Sequence, residues 1–291
     1  MISSNKNFLD LPPDIQQKIL RSLSVKEVRS MIICKGIKSV WDDHPAKVYH
    51  LLRHVALGEQ SEAEEMLKNN PGLLLYPGQV KDYSGRDFKN ITAFQYALWA
   101  MDWHMWTMIL KYLDPQEALV QLNDLESNFS SKSVYGAHYN FKNLLDSYNN
   151  YCYHFKYKSR EEQKKDWCEN VGGELRNVPV HVANEYCRLD RNFDTPSFTD
   201  ENLPRTLNME GNRFWYDTSG SKILGTHYAV IRGDGSGPKC REMAIMDSPL
   251  IVHFIKRDRT AIAHLQDVRM QQFADLKKML NLSCRLGCKA Q

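Results

Sequence analysis

The sequence predicts a mainly α-helical protein, and three observations carry that prediction. Apolar residues recur at helical spacing along most of the 291-residue chain. Helix-start signals, in which Ser, Thr or Asp stands three residues before Glu or Gln, lie between these segments. A β-hairpin pattern is convincing only near residues 213–232. We therefore expect a three-helix N-terminal segment at 1–43, paired helices at 44–126, and an α-rich C-terminal domain with one hairpin at 134–291.

The composition is that of an ordinary folded chain and excludes several classes of protein. A hydrophobic fraction of 42% and a charged fraction of 25% argue against disorder. The net charge of +3 is too small to predict nucleic acid as the main partner. No apolar run is long enough to predict a membrane span. The seven cysteines are odd in number and widely spaced, so we expect reduced thiols in a cytosolic protein, with no metal and no cofactor.

The first predicted part is the segment 8–43, which reads as three short helices. Pro12 and Pro13 suit the start of a helix, because a proline there loses no needed hydrogen bond. Ile15, Ile19 and Leu23 then form one apolar stripe. Three helices of this size cannot bury that stripe by themselves, so we expect a partner or a neighbouring domain to cover it.

The same segment resembles an F-box. The resemblance rests on Leu11-Pro12-x-Asp14-Ile15, Lys18-Ile19-Leu20-x-x-Leu23, Val28 and Cys34-Lys35. It implies docking on the adaptor subunit of cullin–RING ubiquitin ligases, with a contact set of Leu11, Pro12, Ile15, Ile19, Leu20, Leu23 and Val28. The family usually has tryptophan just after its Cys-Lys, where this chain has Ile37. The alternative is that the three helices only cap the next domain.

The second part is a degenerate repeat. Residues 47–67 and 92–113 share one plan of helix, turn and helix, with Gly58 and Met101 at equivalent places 43 residues apart. Ser61, Thr92 and Asp114 are the predicted helix caps. The string Thr-Ala-Phe-Gln-Tyr-Ala at 92–97 resembles the signature of ankyrin repeats, whose usual period is about 33 residues. The surplus lies in 70–91, whose Pro, Gly and Asp content predicts an extended finger or hairpin.

The second unit also carries a dense aromatic cluster. Trp99, Trp103 and Trp106 alternate with methionines along its two helices. One interpretation is packing between helices. The other is a binding face for a target peptide, because tryptophan anchors dominate protein interfaces.

The third part offers few chemical signatures. Its predicted hairpin pairs 214–216 with 226–232, and a long last helix is expected at 258–282. Cys187 with His181, His227 and Asp190 can be drawn as a thiol centre, but no nucleophile motif surrounds the cysteine. A set of arginines could form either an anion site or loop salt bridges: Arg188, Arg191, Arg205, Arg213 and Arg232. We therefore name no catalytic residue.

Residues 184–207 resemble a region that follows ankyrin-like repeats in effectors of intracellular bacteria. Together the resemblances imply a non-enzymatic virulence effector that acts in the host cytosol. Its F-box-like segment would recruit a ubiquitin ligase, and its repeats or C-terminal domain would hold an unknown target protein. One alternative is an effector enzyme, a hydrolase or transferase of the C-terminal half with the N-terminal half as its targeting module. Another is a scaffold. An adaptor needs Leu11, Pro12 and Ile15 to face outward, whereas a cap buries them.

Overall fold

The computed structural model describes most of the chain from residue 44 onward and six residues before it. The described residues are 8, 11–12, 15–16, 19, 44–129, 135–191, 193, 196–209, 212–215, 223–232, 239–241 and 250–287. They form a mainly helical structure, which confirms the predicted fold class. The helices are α1 (His44–Ala56), α2 (Gln60–Asn69), α3 (Ala93–Trp99), α4 (Trp103–Ile109), α5 (Pro115–Asp124), α6 (Lys142–His154), α7 (Arg160–Lys165), α8 (Gly172–Arg176), α9 (Val180–Cys187) and α10 (Leu250–Gly287).

Short helical turns of other kinds extend some of these helices. Two are 3-10 turns, Pro71–Leu75 and Phe155–Tyr157, and two are π-helical segments, Leu125–Phe129 and Asp166–Val171. The strands are short and pair antiparallel: β1 (Gly78–Lys81) with β2 (Asp87–Ile91), β3 (Asn208–Met209) with β4 (Asn212–Arg213), and β5 (Ala229–Ile231) with β6 (Lys239–Arg241).

The two hairpin predictions had different outcomes. The finger expected within 70–91 is the β1–β2 hairpin. The hairpin expected near 213–232 is wrong in its pairing, because the strand 229–231 pairs with 239–241 and not with 214–216. A strand of three residues carries little register information of its own, so its partner is chosen by the packing around it.

Two helical pairs form the first half of the described chain. In one, α1 packs on α2; in the other, α3 packs on α4, and the pairs stack through α1 against α3 and α2 against α4. Gly58 and Met101 both adopt left-handed backbone, with φ of 72° and 60°. The cost of that conformation is low for glycine, and methionine rarely adopts it. The predicted equivalence of the two positions is therefore present in the backbone.

Both turns close with the same pair of backbone hydrogen bonds. The left-handed residue donates to the carbonyl three residues earlier, and the next residue donates to the carbonyl five residues before it. The bonds are Gly58 to Val55 at 3.2 Å and Glu59 to His54 at 2.8 Å in one turn, and Met101 to Leu98 and Asp102 to Ala97, both at 3.0 Å, in the other. This is the pattern that commonly ends a helix at a left-handed residue. The offset of 43 residues is thus a structural repeat.

Two of the three predicted caps are confirmed. The Thr92 hydroxyl accepts from Gln95 N–H in a complete capping box, and the Asp114 carboxylate accepts from Gln116 and Glu117. Ser61 is a correction, because α2 begins one residue before it. The residue at the cap is Glu59, and its side chain makes no capping bond.

Asp114 and Ser61 therefore form a matched pair for a stability test. Replacing Asp114 by alanine is expected to lower the free energy of unfolding by about 1 kcal/mol, because two N–H groups of α5 lose their acceptor. Replacing Ser61 by alanine should change it little, since no capping bond is removed. Urea denaturation of both variants measures the difference. Equal losses would contradict the assignment of the caps.

The hydrophobic core is continuous across the predicted boundary at 126–134. One cluster of buried side chains runs from Val48 in α1 to Leu280 in α10. The long helix α10 packs on α6, α5 and α4, so it joins the C-terminal half to the second helical pair. Trp106 meets Phe273 edge to face, with ring centroids 6.0 Å apart. The two halves of the described chain therefore share one hydrophobic core.

Candidate functional site: the N-terminal apolar edge and the buried ion network

The F-box-like segment leaves part of its described apolar surface open to solvent. Pro12 is exposed, Ile15 is 37% exposed, and Leu11 and Ile19 are half-buried. Leu20, Leu23 and Val28 of the predicted contact set lie outside the described residues. Of the four that are described, two are exposed and two are only partly exposed, so part of this surface is open to a partner.

A buried glutamine is hydrogen-bonded at the start of a helix that includes Ile15 and Gln16. Ile15 and Gln16 both donate backbone N–H groups to the Pro12 carbonyl oxygen at 3.0 Å. The Gln16 side chain donates to the Leu11 carbonyl oxygen at 2.8 Å and is 7% exposed. With the amide turned inward, Leu11 and Pro12 form a small apolar edge at the beginning of the helix.

The second feature is the contact between α9 and the two repeat turns. A Cβ atom on Gly58 would lie 2.9 Å from Val180 Cγ1, so α9 approaches that turn too closely for a side chain. At the other turn, His181 Nε2 lies 2.8 Å from the Ala100 carbonyl oxygen. One helix of the C-terminal half, α9, therefore contacts both turns of the repeat.

Arg205 adds an ion pair to this contact between the C-terminal half and the repeat. Its guanidinium binds both carboxylate oxygens of Asp102, at 2.8 and 3.0 Å, and the side-chain oxygen of Gln60 at 2.7 Å. Asp102 is also the cap of α4, where it accepts from Met105 N–H at 3.1 Å. A bidentate pair of this kind fixes orientation as well as distance. The Arg205 loop is thereby fixed to the start of α4.

Glu185 is the centre of a buried ion network. It is 1% exposed and accepts from Arg191, and from Arg269 at 3.1 Å. Arg188 lies 3.8 Å away and pairs mainly with Asp190 and Asp200. Burial raises the pKa of Glu185 above its ordinary value, and the surrounding guanidinium charges oppose that rise. The network joins α9, α10 and the 190–205 loop.

This network decides between the two interpretations of the arginines. Arg188, Arg191 and Arg205 are each paired with carboxylates, so the salt-bridge interpretation is the one that the structure supports. Arg232 donates instead to the carbonyl oxygens of three residues, Glu185, Tyr186 and Arg191. The side chain of Arg213 lies outside the described part. Arg269 belongs to the network and was missed by the sequence patterns.

Two buried histidines lie at the edge of the network. Burial lowers the pKa of His181 to about 3 and that of His104 to about 4, although the Asp102 carboxylate opposes both shifts. Burial would raise the pKa of Asp102, but the charge of Arg205 leads the opposing effects and holds it below the ordinary value. At neutral pH both rings are therefore uncharged and Asp102 is ionised.

The thiol centre drawn from the sequence is not supported by this arrangement. Cys187 and His181 have no exposed surface, and His181 is held by the backbone of Ala100. Asp190 pairs with Arg188. His227 is exposed, and its ring lies 3.3 Å from the Ile223 N–H. A substrate could therefore reach neither the Cys187 sulfur nor the His181 ring.

The tryptophan cluster mostly packs inside the protein. Trp99 and Trp106 are almost fully buried, so their surfaces are not available to a target, and the packing interpretation accounts for them. Trp103 is half-buried, between the His104 ring and the Arg269 guanidinium. The target-binding prediction therefore has no support from these positions.

Three further observations concern the described residues alone. They hold no group of three or more His, Cys, Asp or Glu side chains placed to ligate a metal. No helix among them has the length and hydropathy needed to cross a bilayer. Cys152, Cys168 and Cys187 are thiols and not disulfides.

Comparison with known proteins agrees with the N-terminal assignment. The F-box domain family matches residues 8–49, a range that contains all seven residues of the predicted contact set. The chain is thus a protein with an F-box domain ahead of a helical body. Residues 140–280 match the family described as the CBUA0006 C-terminal domain.

A relative that matches most of the chain defines the family further. The chain is 37% identical over 261 residues to "Uncharacterized protein CBUA0006" of Coxiella burnetii (strain RSA 493 / Nine Mile phase I), with 79% of this chain and 74% of the relative covered. At that identity and coverage, the chain belongs to the CBUA0006 family. No solved structure matches it.

Proposed function

We propose that this protein is a non-enzymatic substrate adaptor of an SCF-type ubiquitin ligase. The F-box would bind the ligase subunit Skp1, and the helical body would hold a target protein. The observation that carries the proposal is the F-box match together with the exposure of Pro12 and Ile15 and the partial exposure of Leu11. Apolar groups at the surface gain free energy when a partner covers them.

The setting we propose is the cytosol of a host cell. The relative belongs to Coxiella burnetii, an intracellular bacterium. An F-box has use only where cullin-based ligases exist, and that favours an effector delivered into the host. Virulence would then follow from loss of the ubiquitinated target.

We further propose that the stacked helical pairs are divergent ankyrin-type units. The support is the identical closure of the turns at Gly58 and Met101, and the β1–β2 finger between the units. The period of 43 residues exceeds the ankyrin period of about 33, and the hairpin occupies the surplus. In this protein α9 covers both turns, so a target protein would have to bind at other surfaces.

A double variant tests the ligase contact. Replacing Leu11 and Pro12 by alanine removes the apolar edge, so Skp1 binding to the full-length protein should weaken about thirtyfold, which corresponds to about 2 kcal/mol. The melting temperature should change little, because Pro12 is exposed and Leu11 is only partly buried. Calorimetric titration with purified Skp1 measures the affinity, and differential scanning fluorimetry measures the melting.

The matched control is Leu75→Ala with Pro77→Ala. It removes the same two residue types from another exposed place and should leave Skp1 binding intact. The proposal would be overturned in favour of a simple cap by two results together. The wild-type protein would not bind Skp1, and the Leu11/Pro12 variant would have a lower melting temperature.

A further inference from the structure

A cleft of about 930 Å³ opens between α6 and the first turns of α10. Its walls are the end of α6 with the Phe155–Tyr157 turn, and the α10 residues 252–259. This volume lies within the range of known ligand pockets, about 300–1,000 Å³. The cleft shares no lining residue with the buried ion network or with the part of the F-box that the structure describes.

The charge of the cleft has one sign. Lys156, Lys256 and Arg259 line it, and no aspartate or glutamate is among the lining residues that the structure describes. None of the three cations forms an ion pair within the described part of the chain. Nearby, Lys158 is already paired with Asp166 at 2.7 Å. The Nε atom of Arg259 is buried and has no hydrogen-bond partner among the described residues.

Aromatic and amide groups complete the lining. Tyr153 and Tyr157 are 71% and 69% exposed, an unusual degree for large aromatic side chains. The Lys156 ammonium lies 4.7 Å from the centre of the Tyr157 ring, which orients it beside the cleft. Asn149 and Asn150 add exposed amides, which donate to and accept from a peptide backbone.

We propose that this cleft binds an acidic peptide segment of the target protein. Carboxylates of the segment would pair with Lys156, Lys256 and Arg259, and an apolar side chain would lie against the tyrosines. Aromatic anchors and arginine are the residue types enriched in protein interfaces, and complementary charge supplies specificity and fast association. The inference rests on the proposed adaptor function and names the surface that would hold the target.

The test uses full-length protein and fluorescein-labelled peptides followed by anisotropy. The probes are peptides of mixed glutamate and aspartate around a central leucine or phenylalanine, each compared with its glutamine and asparagine counterpart. Lys156→Glu with Lys256→Glu should weaken binding of the acidic peptides about tenfold or more. Tyr153→Ala should weaken it separately, and added salt should weaken wild-type binding.

The control variant is Lys89→Glu with Lys164→Glu, which makes the same change in net charge at exposed sites outside the cleft. The proposal would be overturned if the two double variants weakened binding equally, or if the neutral peptides bound as well as the acidic ones. It would also be overturned if single-stranded RNA or a small dicarboxylate bound more tightly than the acidic peptides. A wild type that binds Skp1 and none of the acidic peptides would overturn it as well. A protein that binds the acidic peptides and not Skp1 would overturn the ligase function and leave the cleft assigned.

Discussion

Replacing Glu185 by glutamine is expected to lower the free energy of unfolding by about 3–5 kcal/mol, because it leaves buried arginines without their counter-charge. Arg269 has no exposed surface, and its guanidinium donates to Glu185 Oε1 and to the Phe198 carbonyl oxygen. Arg191 donates to Glu185 Oε2. The glutamine keeps the shape of the side chain but can accept only with its one oxygen, and its NH₂ group would face a guanidinium.

Chemical denaturation of the two folded proteins measures this loss. Glu201→Gln is the matched control, because it makes the same substitution at an exposed residue of the neighbouring loop and should change stability little. A Glu185→Gln variant as stable as the wild type would show that the carboxyl is neutral in the folded protein, since burial raises its pKa. The network would then hold fewer charges than its geometry indicates.

This network also shows how far the sequence predicts the site. Arg188 and Arg191 lie within six residues of Glu185 in the sequence, so a local pattern already predicts that these charges are close together. Arg269 comes from a helix 84 residues further along the chain, and nothing in the spacing around it marks it as buried. Charged residues on a long helix normally face solvent. Only the packing of α10 against α4 and α6 brings Arg269 inside.

The same distinction applies to the elements of the fold. The Thr92 cap and the turns at Gly58 and Met101 depend on a few neighbouring residues, and the sequence predicts them. The pairing of 229–231 depends on a strand beyond a loop, and there the prediction was wrong. The exposed edge at Leu11 and Pro12 is again local, because one buried glutamine side chain sets it.

Acid is expected to destabilise the protein well before its ordinary carboxylates titrate. Burial lowers the pKa of His181 to about 3 and of His104 to about 4, from an ordinary value of 6.5. Below pH 6.5 the unfolded chain therefore binds a proton at each position that the folded protein does not bind. The free energy of unfolding then falls as the pH falls, by about 1.4 kcal/mol per pH unit for each histidine.

The loss amounts to about 3 kcal/mol for each ring by pH 4, and these two rings add nothing to the pH dependence above pH 6.5. The pKa of Asp102 lies below the ordinary carboxyl value, so its protonation adds to the loss only at still lower pH. The charges that face the rings are the carboxylate of Asp102 and the guanidinium groups of Arg205 and Arg269. Burial is the main cause of the neutral rings, and the two arginines add to it by opposing protonation.

Urea denaturation at a series of pH values between about 7 and 4.5 measures the slope. His181→Gln should reduce the slope by about 1.4 kcal/mol per pH unit, which corresponds to one proton. This reduction is expected whatever stability the variant loses at neutral pH. His253→Gln, at an exposed position of α10, should leave the slope unchanged. If His181→Gln keeps the wild-type slope, the ring must already take up its proton in the folded protein. The bond between α9 and the Ala100 carbonyl oxygen would then be made by a charged imidazolium.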